Sequence, residues 1–391
     1  MKYDFSKVID RSNTGCTKWD EVNTRYGFDG LLPMWVADMD FVAPHEVVDA
    51  IVKRANHGIF GYVTEPDSYY KAIVGWIEKR HSWTIDRDWI FFSPGVVPAL
   101  SFCVLSYTQP GDKIIIQPPV YYPFNRVISA NGRFVVTNPL ILRNGRYSMD
   151  FADLEEKASD PQVKMLLLCS PHNPVGRVWE QEELVKLGEI CLKHNVLVVA
   201  DEIHSDIILP GHKHTPFPAI CQEFAENSVY CNAPSKTFNL AGLKTSYLII
   251  SNKKLADAYS NITHSLSVTK NNVFGAIALE AAYEFGKDWL NQLLIYLKDN
   301  IEYLKDFVTD NIPQIEVIEP EGTYLVWLDF RHLGLEDNEL NELLLKKAKV
   351  ALSDGATFGS GGKGFKRMNI ACPRLVLAQG LTRIATAIQG L

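Results

Sequence analysis

The chain has 391 residues, 47% hydrophobic and 22% charged, with a formal net charge of −7. That is the profile of a globular protein long enough for two domains. The acidic balance argues against a dedicated nucleic-acid binder, no apolar run approaches the roughly 20 residues that span a bilayer, and residues 1–7 lack the apolar core of a signal peptide.

From about residue 44 helical and extended patterns alternate. Residues 45–56 read as an amphipathic helix behind Pro44, and 69–79 as a second. Ser93-Pro-Gly-Val-Val-Pro98 opens a third that runs to about residue 106. Gln109-Pro-Gly-Asp112 is a turn and 113–117 a strand. Apolar strands follow at 163–169, 196–200, 228–231 and 247–250, with a helix over 180–193 between the first two. Short apolar runs separated by helical patterns are what a sheet buried on both faces requires. The expected fold is therefore α/β, with a large domain over 46–285 whose mixed, mostly parallel sheet is covered by helices. Beyond it come a long helix over 288–310, a strand at 324–329, a helix over 338–349, a strand at 367–371 and a last helix from about 375. With residues 1–45 these predict a smaller α+β domain. The long helix joining two domains suits a cleft that opens and closes. Seven scattered cysteines without a Cys-x-x-Cys pair point to reduced thiols in a cytoplasmic protein, with Cys103, Cys169 and Cys231 as small buried apolar residues.

Open α/β sheets bind ligands beyond the carboxyl ends of their strands, and several polar residues fall there. Lys236 stands in Asn232-Ala-Pro-Ser-Lys-Thr-Phe-Asn-Leu-Ala-Gly-Leu-Lys244, between a short apolar strand and a glycine-containing turn. Desolvation, with Lys244 as a neighbouring cation, lowers a lysine's pKa and suits an amine that forms a Schiff base; a solvated surface lysine is the alternative. Asp201 closes the 196–200 strand, where a carboxylate can bond a protonated ring nitrogen or cap a helix. Asn173, in Ser170-Pro-His-Asn-Pro-Val-Gly-Arg177, follows another strand, though Asn-Pro is also a common turn. The helix start at Ser93-Pro-Gly presents backbone N–H groups to an anion such as phosphate. Tyr121, just past the 113–117 strand, can stack on a flat cofactor ring or sit half-buried in the core. Arg374, opening the last helix, suits bidentate capture of a carboxylate or a surface salt bridge. Phe358-Gly-Ser-Gly-Gly-Lys-Gly-Phe365 is not a nucleotide loop, because Gly364 follows Lys363 where Ser or Thr is needed; it reads as a mobile loop beside Arg374. His212-Lys-His214 with His204 has no carboxylate or thiolate set at ligand spacing, so no metal is expected. A lysine for an imine, an acid for a ring nitrogen, a helix start for phosphate, an aromatic for stacking and an arginine for a carboxylate are the parts of a pyridoxal-phosphate site for amino acids.

The ordered motifs at 93–100, 109–112, 119–123, 172–177, 200–206, 235–244 and 371–374 resemble those of fold-type I pyridoxal-phosphate enzymes, the class I/II aminotransferase superfamily. Leu32-Pro-Met-Trp-Val-Ala-Asp-Met-Asp-Phe41, His172-Asn-Pro-Val-Gly-Arg-Val-Trp179, Asp201-Glu-Ile-His-Ser-Asp206 and Gly211-His-Lys-His-Thr-Pro-Phe217 are most similar to the MalY/PatB-type cystathionine β-lyases, or C–S lyases. The resemblance covers nearly the whole chain. It implies an aspartate-aminotransferase-like fold and pyridoxal 5′-phosphate as cofactor. It implies that Lys236 holds the cofactor and acts as the base on Cα, that Asp201 pairs with the ring nitrogen and that Tyr121 stacks on the ring, these three forming the catalytic set. Asn173 and His204 would lie near the ring hydroxyl, and the phosphate would meet the amides of Val96 and Val97 with Ser235 and Lys244. Tyr62 would reach in from the partner subunit of a homodimer with shared active sites. Arg374 would grip the substrate carboxylate, with Asn173, Trp35 and Asp38 also facing the substrate.

The implied reaction is β-elimination of a thiol from cystathionine, cysteine or S-substituted cysteines, giving pyruvate and ammonia. Lys236 serves transamination equally well, so an aminotransferase is the alternative. Some relatives of this subfamily bind a transcription activator, which leaves a regulatory binding protein as a reading of another class. A nicotinamide dehydrogenase is disfavoured, since no Gly-x-Gly-x-x-Gly follows the first strand. The expected partners are a small amino acid and a second copy of the chain, not nucleic acid or a membrane.

Overall fold

The computed structural model describes residues 3–391; Met1 and Lys2, which belong to the expected 1–45 segment and to the N-terminal stretch read above, lie outside the described residues. Seven strands form the central sheet: β1 (Ile90–Ser93), β2 (Lys113–Ile116), β3 (Phe134–Thr137), β4 (Val163–Cys169), β5 (Leu197–Asp201), β6 (Ser228–Asn232) and β7 (Ser246–Ile249). Their spatial order is β1-β7-β6-β5-β4-β2-β3. Strands β6, β5, β4, β2 and β3 run parallel, and β7 is antiparallel to both neighbours. The sheet is thus mixed and mostly parallel, as expected for an α/β protein.

Alternation along the strands divides the interior into two layers. Leu166 and Leu168 of β4 and Val198 and Ala200 of β5 join one core cluster, under the helix Gln181–Lys193. Met165, Leu167, Leu197 and Val199 join the other, with Ala99, Leu100 and Cys103 of the helix Val96–Tyr107. Both faces are covered, which is why these strands read as near-continuous apolar runs. Cys103, Cys169 and Cys231 are buried free thiols.

A second, antiparallel sheet orders Glu316–Val317, Leu325–Asp329, Phe365–Asn369 and Ser353–Asp354. The helix Lys287–Asn311 leads into it, burying Leu290, Leu293, Leu297, Ile301, Leu304 and Val308, a stripe at helical spacing. The N-terminal segment returns to this part of the chain: Leu32–Pro33 pairs in parallel with Val350–Ala351. The helix expected over 338–349 is shorter. It is α-helical only over Asp337–Glu342 and widens into a π turn at Leu343–Lys347. Among the described residues no helix is long and apolar enough to cross a membrane.

Candidate active site

The carboxyl ends of β1, β2, β4, β5 and β6 surround a cavity of about 420 Å³. Each strand hands one element to it. After β1 the chain turns at Gly95 and enters the helix Val96–Tyr107, with Val96 and Val97 on the wall. The first amides of a helix have no intrahelical acceptor. After β2 comes Tyr121, after β4 Asn173, and β5 ends at Asp201, followed by His204. After β6 the one-turn helix Pro234–Thr237 carries Ser235 and Lys236, and Lys244 closes the wall. With Ala37, residues from seven separate stretches thus meet at one place.

Burial sets the electrostatics. It lowers the Lys236 ammonium to about 8; Asp38 and Asp201 oppose the shift, while Arg367 and Lys244 add to it. The Lys236 amine donates to the carbonyl of Ala37 at 2.7 Å. Burial raises the Asp201 carboxyl to about 7 against the Ile203 N–H and Lys236, which pull it down. His204 is held well below its ordinary value by burial and by the cations Lys236 and Arg367, which keeps it neutral, and its Nδ1 is buried without a partner. Burial also pushes the Tyr121 hydroxyl up to about 12.

A second cavity of about 340 Å³ shares Ala37, Tyr121 and Lys236 with the first. Trp35 lines it, as do Arg25, Tyr122, Asp354 and Arg367. Arg367 was not anticipated. It lies in the strand Phe365–Asn369, 4% exposed. One guanidinium nitrogen donates to Asn173 Oδ1 at 2.9 Å, another to the Trp35 carbonyl at 2.9 Å and to Ser353 Oγ at 3.1 Å, and Nε is buried with no partner.

These positions bear on three of the expected site residues. Arg374 lines neither cavity: its Nε donates to Asn300 Oδ1 at 2.8 Å and its guanidinium packs 4.5 Å from the Tyr303 ring centroid. The helix it opens starts beyond the strand that reaches the site, so its side chain falls against the helix Lys287–Asn311 instead. Asp38 also lines neither cavity, because Arg11 at 2.9 Å and Lys18 at 3.7 Å hold its carboxylate. Tyr62 is fully exposed on the 57–66 segment, outside both cavities.

Residues 33–384 match the family Aminotransferase class I and II. The chain is 46% identical to cystathionine beta-lyase PatB of Bacillus subtilis (strain 168), over 98% of its own length and 99% of that protein's. Its structure is similar to that of cystalysin from Treponema denticola, which contains a pyridoxal 5′-phosphate cofactor, with a TM-score of 0.97 and 38% identity over 100% of both chains. The pyridoxal-phosphate-bound C–S lyase from Staphylococcus hominis gives a TM-score of 0.92 and 35% identity over 99% of this chain and 98% of that one.

Proposed function

Because the chain belongs to the aminotransferase class I and II family, we propose that it is a pyridoxal 5′-phosphate-dependent C–S β-lyase, releasing a thiol, pyruvate and ammonia from cystathionine, cysteine or S-substituted cysteines. The observation that carries this reading is one cavity holding a half-buried lysine, a buried carboxylate and a helix start, which shares three lining residues with a second that holds a buried arginine. The residues present fit the cofactor: a neutralisable amine, donors at a helix start, and a buried His204 Nδ1 that lacks a partner within the protein. When bound, pyridoxal phosphate supplies an aldehyde for amines and a ring that draws electrons from Cα.

The side chains then divide the work. The amides of Val96 and Val97, the Ser235 hydroxyl and the Lys244 ammonium would hold the phosphate. Tyr121 would cover one face of the ring, with Asn173 and His204 toward its hydroxyl. Asp201 would face the ring nitrogen; a cation there favours the carboxylate form that burial alone disfavours. Arg367 would take the substrate carboxylate through its planar fork, in the role expected of Arg374. Trp35 would wall the substrate side. Lys236, with its pKa lowered to about 8, is a base matched to taking the proton from Cα. With that proton gone, a thiolate on Cβ can leave. Ala37 O, which accepts from Lys236 at 2.7 Å, holds the amine in place.

The reading includes a homodimer in which Tyr62 of each subunit reaches the other's site; its support is the full exposure of Tyr62 beside exposed Ile59 and Phe60. It also includes a large domain over 46–285 and a small one made of 1–45 and 286–391. The central sheet lies between residues 90 and 249 and the antiparallel sheet between 316 and 369, which agrees with that division. A cytoplasmic location suits the seven free thiols. The test is pyruvate release from cystathionine by the purified, cofactor-supplied protein, abolished in Lys236→Ala. Keto-acid exchange without pyruvate would replace the lyase with an aminotransferase.

A further inference from the structure

A separate hollow of about 340 Å³ opens where the end of the helix Asp67–His81, the 205–214 loop and the helix Lys287–Asn311 meet. Its lining holds the cations Arg80, Lys213 and Lys298 and the imidazoles of His81, His212 and His214, with no Asp or Glu among the lining residues. In a chain of net charge −7 this is a local reversal. Distant exposed acids do not cancel it, because salt at about 0.15 M screens exposed charges beyond about 8 Å; the buried Asp206 and Glu202 beneath the hollow offset part of it.

Two of the basic side chains are built into the floor. His81 Nε2 lies 3.0 Å from Asp206 Oδ1 and His214 Nε2 lies 2.5 Å from Glu202 Oε2. Both side chains are 3% exposed. A carboxylate only accepts, so Nε2 carries the proton in each ring. Among the described residues no hydrogen bond to the other ring nitrogen, Nδ1, is present in either residue. In a doubly protonated ring Nδ1 offers a second N–H to an acceptor from outside. The rings lie edge to face, 5.7 Å between centroids, near enough for one multi-oxygen anion to serve both.

The countercharges are few. Asp206 faces Arg80 and His81, and Glu202 faces His214. At the rim, Lys298 meets Glu302 at 3.3 Å between half-exposed chains, a weak pairing. Lys213 and His212 are exposed and form no ion pair among the described residues.

We propose that this hollow is a second ligand site, for a small oxyanion with two or more negative charges, such as a phosphate group or a polycarboxylate. Calorimetric titration of the cofactor-loaded protein, whose own phosphate site is filled, tests it. Pyrophosphate and citrate are titrated separately at constant ionic strength. Saturable binding of one anion per chain is expected, weakened about tenfold or more in the double variant Lys213→Glu, Lys298→Glu, with turnover of amino acid unchanged. Both residues are exposed, so that variant tests binding without threatening the fold; His214→Gln, which removes one ring, is expected to weaken binding as well. Binding of pyrophosphate alone assigns the site to phosphate groups, and binding of both assigns it to charge density. No saturable binding of either anion, or binding undiminished in the double variant, overturns the proposal.

Discussion

Lys236 and Asp201 are pushed toward neutrality from opposite directions by the same burial, one down to about 8 and the other up to about 7. A surface lysine stays charged until about pH 10.4. In cofactor-free protein, acylation of Lys236 followed by mass spectrometry is therefore expected to rise through about pH 8, below the surface lysines. A midpoint near the surface value would remove the argument for a neutralisable amine. The substrate end gives a second expectation. Arg367→Lys loses the planar fork, so KM for the amino acid should rise roughly 10- to 100-fold with a smaller change in kcat, whereas Arg374→Ala should leave KM within about twofold. Attention to Arg374 came from its place at a helix start. The better signal was Lys366-Arg367, two adjacent cations inside a five-residue strand whose members are all buried. Adjacent strand residues face opposite ways, so both cations need internal partners; Lys366 finds Asp354 at 2.9 Å and Arg367 finds Asn173. The pairing of Asp38 with Arg11, 27 residues away, leaves no local trace at all.

Among elements, the strongly apolar ones were legible and the half-exposed ones were not. The strand Val163–Cys169 and the helix His45–Asn56 coincide with the patterns read from residues 163–169 and 45–56. The helix carries a dominant period of about 3.6, and the strand is the near-continuous apolar run of a strand covered on both faces. Strands β1 and β3 leave no such pattern in the sequence. They are edge strands of four residues with partly exposed side chains, too short to show a period. The π turn at Leu343–Lys347 was also invisible, because one extra residue in a turn barely alters an apolar stripe. Packing between elements is tight enough to test directly. Gly188, within Gln181–Lys193, has no room for a side chain: a Cβ there would lie 2.3 Å from Phe224 Cζ. Gly188→Ala should gain helix propensity yet lose about 1–3 kcal/mol to overpacking, seen as a lower urea midpoint. An unchanged or raised midpoint would mean that Phe224 can move aside.

At the scale of the whole molecule, the proposed shared active site makes a prediction that no single chain can satisfy. Tyr62→Ala and Lys236→Ala should each be close to inactive as pure preparations. Unfolded together and refolded, they should regain pyruvate release, because a hybrid pairs an intact Lys236 site with an intact Tyr62. If mixing restores nothing, Tyr62 does not cross between subunits. Within one chain, the stretch from residue 35 to 41 connects the two sheets. Its carbonyls accept from Arg367 and Asn369 of the antiparallel sheet, and from Lys236 and Asn239 beyond β6. It behaves as a seam sewn from both sides. One nick in that thread should leave a molecule that still elutes at its normal size and keeps its far-ultraviolet spectrum, yet has gone silent as a catalyst, since the halves stay folded while the amine and the guanidinium lose their common ruler.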